Sequence, residues 1–229
     1  MALSLFTKHV AFGVPNRDDI KSETGGTISI LSYHCGLAKY NFSPIFVDSA
    51  SIDENRNTIF RMAKEKNVDY LFFLDSDTEY KGNGNVIERM INYNKDVVMG
   101  ITYLSRFPYH PNIYGWAKNG ETLPWIDEIP DSLFQVEAAG NGFQLISKKV
   151  LDAFTPEVID EIGEPFALIY DGVKRRLSED LAFCWRLKLL GLELWADPIL
   201  NIVHQKKYPI SRDFYNVTRS ATNMTRAEI

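Results

Sequence analysis

The chain holds 229 residues, of which 45% are hydrophobic and 24% charged. That length and balance fit one globular domain with a sizeable core, and they exclude disordered, collagen-like and coiled-coil chains. Thirty acidic residues against 25 basic ones give a formal net charge of −5, which counts against a surface built as a whole to grip nucleic acid. No stretch approaches the roughly 18 consecutive apolar residues of a membrane helix. The opening residues lack a charged leader before their apolar run, so the expectation is a cytoplasmic protein with no membrane span. Cys35 and Cys184 are too few for a disulfide framework or a zinc site and read as reduced, buried thiols.

Apolar runs alternate with helical patterns through the first two-thirds of the chain, the mark of βαβ units and a mainly parallel sheet. His9 to Pro15 reads as a first strand, ending in the loop Asn16-Arg17-Asp18-Asp19. A helix is expected over about Thr27 to Lys39, a strand over Ser43 to Val47, and a helix over Ile52 to Asn67 with Ile59, Met62 and Ala63 on one face. Asp69 to Leu74 is apolar on both faces, as a central parallel strand is, and stops abruptly at Asp75-Ser76-Asp77. A helix over Val86 to Asn94 and a strand over Asp96 to Ile101 follow. From about 104 to 133 periodicity gives way to Pro, Gly and aromatic residues, predicting a long loop or hairpin insertion. Phe134 to Ile146 is strand-like, broken by Gly140-Asn141-Gly142. A helix is predicted over Leu177 to Leu190 with Ser178 as N-cap, and one strand or a pair over Leu192 to His204. The expected domain is 1–204, with 205–229 a polar, basic tail carrying Lys206, Lys207, Arg212, Arg219 and Arg226.

Two carboxylates at the carboxyl end of a buried parallel strand lie where open α/β sheets bind ligands. Their hard oxygens suit Mg²⁺ or Mn²⁺, an ion usually completed by substrate phosphates. The bland alternative is a turn capped by Asp75. Gly140 and Gly142 allow close backbone approach to a ligand, or mark a bulge. Glu179 and Asp180 suit a helix N-terminus by charge alone, and His204 closes its apolar run as an ordinary strand-end residue would. Arg17 and Arg56 read equally well as solvated charges. None of the glycine pairs fits a dinucleotide fingerprint or a P-loop.

Leu71-Phe72-Phe73-Leu74-Asp75-Ser76-Asp77 resembles the DXD signature of GT-A nucleotide-sugar glycosyltransferases. Asn55-Arg56-Asn57 upstream, Val97 to Tyr103 followed by Pro108, Ala139 to Lys148, and Ser178-Glu179-Asp180-Leu181-Ala182-Phe183-Cys184 are similar to further family segments, in family order, over about Val10 to His204. The resemblance implies a GT-A, Rossmann-like α/β domain with a mainly parallel mixed sheet flanked by helices. It implies Mn²⁺ or Mg²⁺ held directly by Asp77, with Asp75 binding the metal through water or the ribose and His204 as a third metal ligand. It also implies a nucleoside-diphosphate sugar, UDP-linked by preference, against Pro15, Arg17, Arg56, Asp75, Ser76, Asp77, Gly140, Asn141 and Gly142. If transfer inverts configuration, Asp180, with Glu179 second, is the base that deprotonates a hydroxyl acceptor on a glycan, a protein or a modified DNA base. DNA is the less favoured acceptor, since the acidic balance argues against it and the basic tail for it. The loop at about 104–133, with Tyr103, Phe107, Tyr109, Tyr114, Trp116 and Trp125, is either an acceptor platform or a satellite core. The family's compact members are bacterial or bacteriophage proteins. A nucleotidyltransferase of similar fold is the alternative enzyme, disfavoured because Asn16 to Asp19 lacks glycines; a non-catalytic sugar- or protein-binding module is the other.

Overall fold

The computed structural model describes residues 7–16, 19–49, 51–105, 109–117, 121–124, 128–172, 174–206 and 209–227. Arg17, Phe107, Pro108, Trp125 and Lys207 lie outside these, so the readings attached to them do too.

Strand β1 (Lys8–Asn16) is followed by α1 (Ser22–Leu37), β2 (Tyr40–Asp48), α2 (Ile52–Glu65) and β3 (Tyr70–Leu74). β1 pairs in parallel with both β2 and β3, Val10 facing Tyr70 and Gly13 facing Phe73. The short β4 (Thr78–Tyr80), α3 (Val86–Asn92) and β5 (Val97–Gly100) complete the first half. Next come β6 (Ile113–Trp116) and β7 (Thr122–Pro124), an antiparallel hairpin where an insertion was expected. β8 (Phe134–Val136), β9 (Ala138–Ala139) and β10 (Phe143–Ser147) divide the predicted broken strand into three.

No element was expected over residues 148–176, which carry α4 (Lys148–Ala153), α5 (Pro156–Ile162) and the hairpin of β11 (Ile169–Asp171) with β12 (Lys174–Leu177). α6 (Glu179–Leu189) begins two residues later than predicted; Ser178 sits at its N-cap but makes no capping bond. β13 (Leu194–Asp197) and β14 (Ile202–Gln205) are the expected final pair. Beyond them the chain forms β15 (Pro209–Ile210) and α7 (Arg212–Ala227).

One mixed α/β domain results, with a seven-stranded sheet in the order β2-β1-β3-β10-β5-β13-β8. Only β10 and β8 run against the other five, so the sheet is mainly parallel. The period-2 alternation of β3 feeds two cores. Leu71 and Phe73 pack beneath α2 and α6 with Ile59, Phe60 and Phe183. Phe72 and Leu74 face the α1–α3 side with Phe12, Leu31, Cys35 and Met90. Both cysteines are free and buried. Gly13 lets α2 approach β1: a Cβ there would stand 2.3 Å from Ile59 Cγ2.

The early start of α1 has a tertiary cause. Gly25-Gly26 weakens a helix by about 1 kcal/mol per glycine relative to alanine, which is why the sequence places the start after it. Thr24 Oγ1, however, donates to the Ser76 and Thr78 carbonyls, and Thr27 Oγ1 accepts from the Tyr80 N–H. The first two turns of α1 are thereby fastened to the segment that follows β3.

Candidate active site

The chain leaves β3 through a turn in which the Thr78 N–H donates to the Asp75 carbonyl at 3.0 Å. The Lys21 N–H holds the Ser76 carbonyl at 2.9 Å, the Asp75 N–H reaches the Gly142 carbonyl at 3.0 Å, and the Gln205 N–H reaches the Asp77 carbonyl at 2.7 Å. Ladder bonds between β14 and β4, with His204 opposite Thr78, bring the end of β14 beside Asp77. The turn is thus held by α1, β14 and the loop before β10.

Above it opens a cleft of about 280 Å³ at the carboxyl ends of β1 and β3, lined by Pro15, Ile52, Arg56, Asp75, Ser76, Asp77, Glu179, Asp180 and Lys206. Seven of these are residues the sequence singled out for the site. Ile52 and Lys206 were not. For Lys206 the signal was the basic tail, read as folding over the diphosphate, contacting an anionic acceptor or fraying; it lies one residue past β14, where its N–H closes a turn on the His204 carbonyl.

Arg56 is the cleft's internal tie. Its side chain is 2% exposed, and Nη2 lies 2.8 Å from Asp75 Oδ1 and 3.4 Å from Asp180 Oδ1. Nη1 donates to the Asn141 carbonyl at 3.5 Å, and the guanidinium packs over the rings of Phe73 and Phe166. Burial opposes its charge, but Asp75, Asp180 and Glu179 outweigh that and hold the group protonated more firmly than usual. Asp180 responds the other way. Burial is the main cause, opposed by Arg56 and reinforced by the charges of Glu179 and Asp75, and its carboxyl is pushed up to about 7. A carboxyl tuned toward neutrality in a cleft is what general acid–base chemistry requires.

Asp77 has the opposite setting. Burial works against its ionisation, but His204 and Lys206 outweigh it by hydrogen bonding and charge, and the carboxyl is held down at about 2. His204 Nε2 stands 3.3 Å from Asp77 Oδ1 and its Nδ1 3.1 Å from the Tyr103 carbonyl; Lys206 Nζ contacts Asp77 Oδ2.

Asn141 and Gly142 stand behind this wall. Asn141 is fully buried, both polar atoms of its side chain lack a hydrogen-bond partner, and its backbone N–H bonds Asp180. A Cβ on Gly142 would lie 2.9 Å from Asp75 Oδ2, so Gly142 makes room for Asp75. Gly140 lies against Asn112 instead. Gly142→Ala is expected to displace Asp75 from Arg56 at a cost of about 1–3 kcal/mol, the usual range for overpacking; chemical denaturation measures it, and an unchanged midpoint would contradict the close approach. The described aromatic residues of the insertion pack on other rings: Tyr103 on Tyr215 at 5.3 Å, Tyr109 on Phe214 at 5.1 Å, and Trp116 on Trp185 at 5.2 Å.

The resemblance implies a divalent cation, and two features of the site fit one. The cleft lining carries four carboxylates against two cations, so an anionic ligand needs added positive charge. A backbone carbonyl only accepts, so Nδ1 of His204 carries a proton toward Tyr103, and Nε2 is the ring nitrogen turned to Asp77. A cation held by Nε2 and Oδ1 would take the place of the His204–Asp77 contact, with the Tyr103 carbonyl orienting the ring as outer partners of metal-binding histidines do. Among the described residues no group of three His, Cys, Asp or Glu side chains converges as a ready metal cage. Asp75, Asp77 and His204 are thus not drawn together as a three-ligand set.

No family model matches the chain, and no curated protein matches it. Among solved structures it is similar to A197 from STIV, with a TM-score of 0.59 and 18% identity over 90% of this chain and 91% of that one; at that identity the likeness speaks for the fold alone. A glycosyltransferase involved in glycosylation of the major capsid of PBCV-1 aligns with a TM-score of 0.38 and 13% identity, over 68% of this chain and 65% of that one. HddC from Yersinia pseudotuberculosis, complexed with GMP-PN, aligns with a TM-score of 0.48 and 9% identity, over 93% and 99%. Those two scores are too low to carry an argument. Among the described residues no helix is long and apolar enough to cross a membrane.

Proposed function

We propose that the protein is a GT-A-type glycosyltransferase that moves a sugar from a nucleoside-diphosphate sugar, UDP-linked by preference, to a hydroxyl acceptor. The observation that supports this best is the convergence, in one cleft at the carboxyl ends of β1 and β3, of a low-pKa Asp77 with a raised-pKa Asp180. Two carboxylates whose environments push them apart supply an ion-holding group and a base in one site.

Pro15 and Ser76 edge the nucleotide side, with Asp75 and Asp77 turned toward the diphosphate. Asp77 and His204 are the residues that would hold Mn²⁺ or Mg²⁺, with Asp75 nearby, and a bound cation there would neutralise charge on the departing diphosphate. Asp180 takes the proton of the attacking hydroxyl as its oxygen bonds the anomeric carbon. The bond from that carbon to the phosphate oxygen breaks, and its electron pair leaves with the nucleoside diphosphate. Arg56 holds Asp75 and Asp180 at fixed separation during this step, while Glu179 keeps the local potential negative and the base basic. This single displacement inverts configuration. The hairpin of β6 and β7 is our candidate for the acceptor side, where a glycan, a protein or a modified DNA base would sit. A cytoplasmic setting goes with a nucleotide-sugar donor.

A thermal-shift series with UDP-, GDP-, ADP-, CMP- and TDP-sugars, each with and without Mn²⁺, tests the reading. One donor is expected to raise the melting midpoint of the wild type in Mn²⁺ and to lose that effect in Asp77→Ala, since a ligand of the native state stabilises it by mass action. No shift with any donor would contradict the transferase and leave a binding module in its place.

A further inference from the structure

Lys206 has a definite position in the cleft. Its N–H donates to the His204 carbonyl at 3.0 Å, and the preceding Gln205 N–H donates to the Asp77 carbonyl, so the backbone on either side of the Asp77 turn is fixed. From there the side chain, 39% exposed, reaches across to Asp77 Oδ2, while His204 takes Oδ1. Both oxygens of the carboxylate are therefore engaged by the chain's own groups. An exposed ion pair of this kind is worth little to stability, but its position is costly for another cation. A divalent ion on Asp77 has either to displace the Lys206 ammonium or to share one carboxylate with a like charge a few ångströms away, and like charges at that range repel strongly inside a cleft.

We propose that Lys206 is a tethered counter-cation of Asp77, one that a divalent cation must displace, so that the cation is held tightly only together with a diphosphate-bearing ligand. The inference rests on the donor reading given above. A nucleoside diphosphate changes the balance in two ways. Its negative charge offsets that of the incoming ion, and its phosphate oxygens give the released ammonium a new partner. Ion and nucleotide then favour each other's binding, and by linkage the factor is the same in both directions. The consequence is an order of events: the ion enters with the donor, and Lys206 returns to Asp77 after the diphosphate leaves.

The test is titration with Mn²⁺ alone, following the free-ion electron paramagnetic resonance signal, on wild type, Lys206→Met, Lys206→Arg and Lys206→Met/Asp77→Asn, repeated with saturating UDP. Mn²⁺ alone is expected to bind Lys206→Met about tenfold more tightly than wild type, within the usual span of coupling between sites. Lys206→Arg should behave as wild type does, and the gain should vanish in the double variant. UDP should tighten Mn²⁺ binding more in wild type than in Lys206→Met. Equal Mn²⁺ affinity in wild type and Lys206→Met would overturn the inference, as would a gain that survives Asp77→Asn. If UDP binds but Mn²⁺ never does, the inference falls and the donor site stands; if neither binds under any condition, both fall together.

Discussion

Asp180→Asn is expected to lower kcat by about 10²- to 10⁴-fold, the ordinary contribution of a positioned general base, while leaving nucleotide binding close to wild type. The amide is nearly isosteric and keeps the contact with the Asn141 N–H, but it cannot accept the hydroxyl proton. The pH profile carries the same signature. Burial pushes the Asp180 carboxyl up, with Glu179 and Asp75 adding to it and Arg56 opposing. Only the ionised form is a base, so activity should fall as pH drops through a midpoint well above the usual carboxylate range. Steady-state kinetics across pH 5 to 9 would measure both effects. An Asp180→Asn enzyme within a few-fold of wild type would assign the base elsewhere, Glu179 being the next candidate.

Arg56→Met carries the second large effect, on stability and on that profile. The side chain is almost wholly enclosed and bridges two carboxylates that are themselves 28% and 21% exposed. Removing one partner of a buried ion pair strands the others, at a typical cost of about 3–5 kcal/mol. For a chain of this size that lowers the melting temperature by about 10 °C. Arg56 is also what restrains the upward shift of Asp180, so its loss should move the midpoint of the pH profile higher still. Scanning calorimetry reads the first effect and the pH–rate profile the second. A variant as stable as wild type would mean that the bridge does not hold the cleft together.

Much of this architecture is legible in the sequence because the central strands are buried on both faces. Tyr70 to Leu74 can be nothing but an inner strand, and an acid pair at its end has few places to go. Arg56 was visible as a residue but not as a tie: solvated and ligand-facing readings of it look alike until Asp75 and Asp180 are seen on either side. The start of α1 was hidden because its glycines argue locally against helix, and the threonine bonds that override them come from a segment some fifty residues away. Residues 148–176 were silent for a different reason. Their helices are six and seven residues long, too short for a hydrophobic period to stand out, and the second is set locally, by the Thr155 cap and Pro156 in its first turn. The chain after His204 reads as polar and basic, yet Tyr215 is 9% exposed and lies on Tyr103, an anchor that composition averages away.

Hydrogen–deuterium exchange of the wild type with and without UDP and Mn²⁺ tests the nucleotide cleft most directly. Slower exchange is predicted in the segments around Asp75 to Thr78, Asn141, Glu179 to Ala182 and His204 to Lys206, with the groove lined by Gln135, Lys188 and Leu192 unchanged. Protection centred on that groove, or none anywhere in the chain at saturating UDP, would contradict a nucleotide site at the ends of β1 and β3.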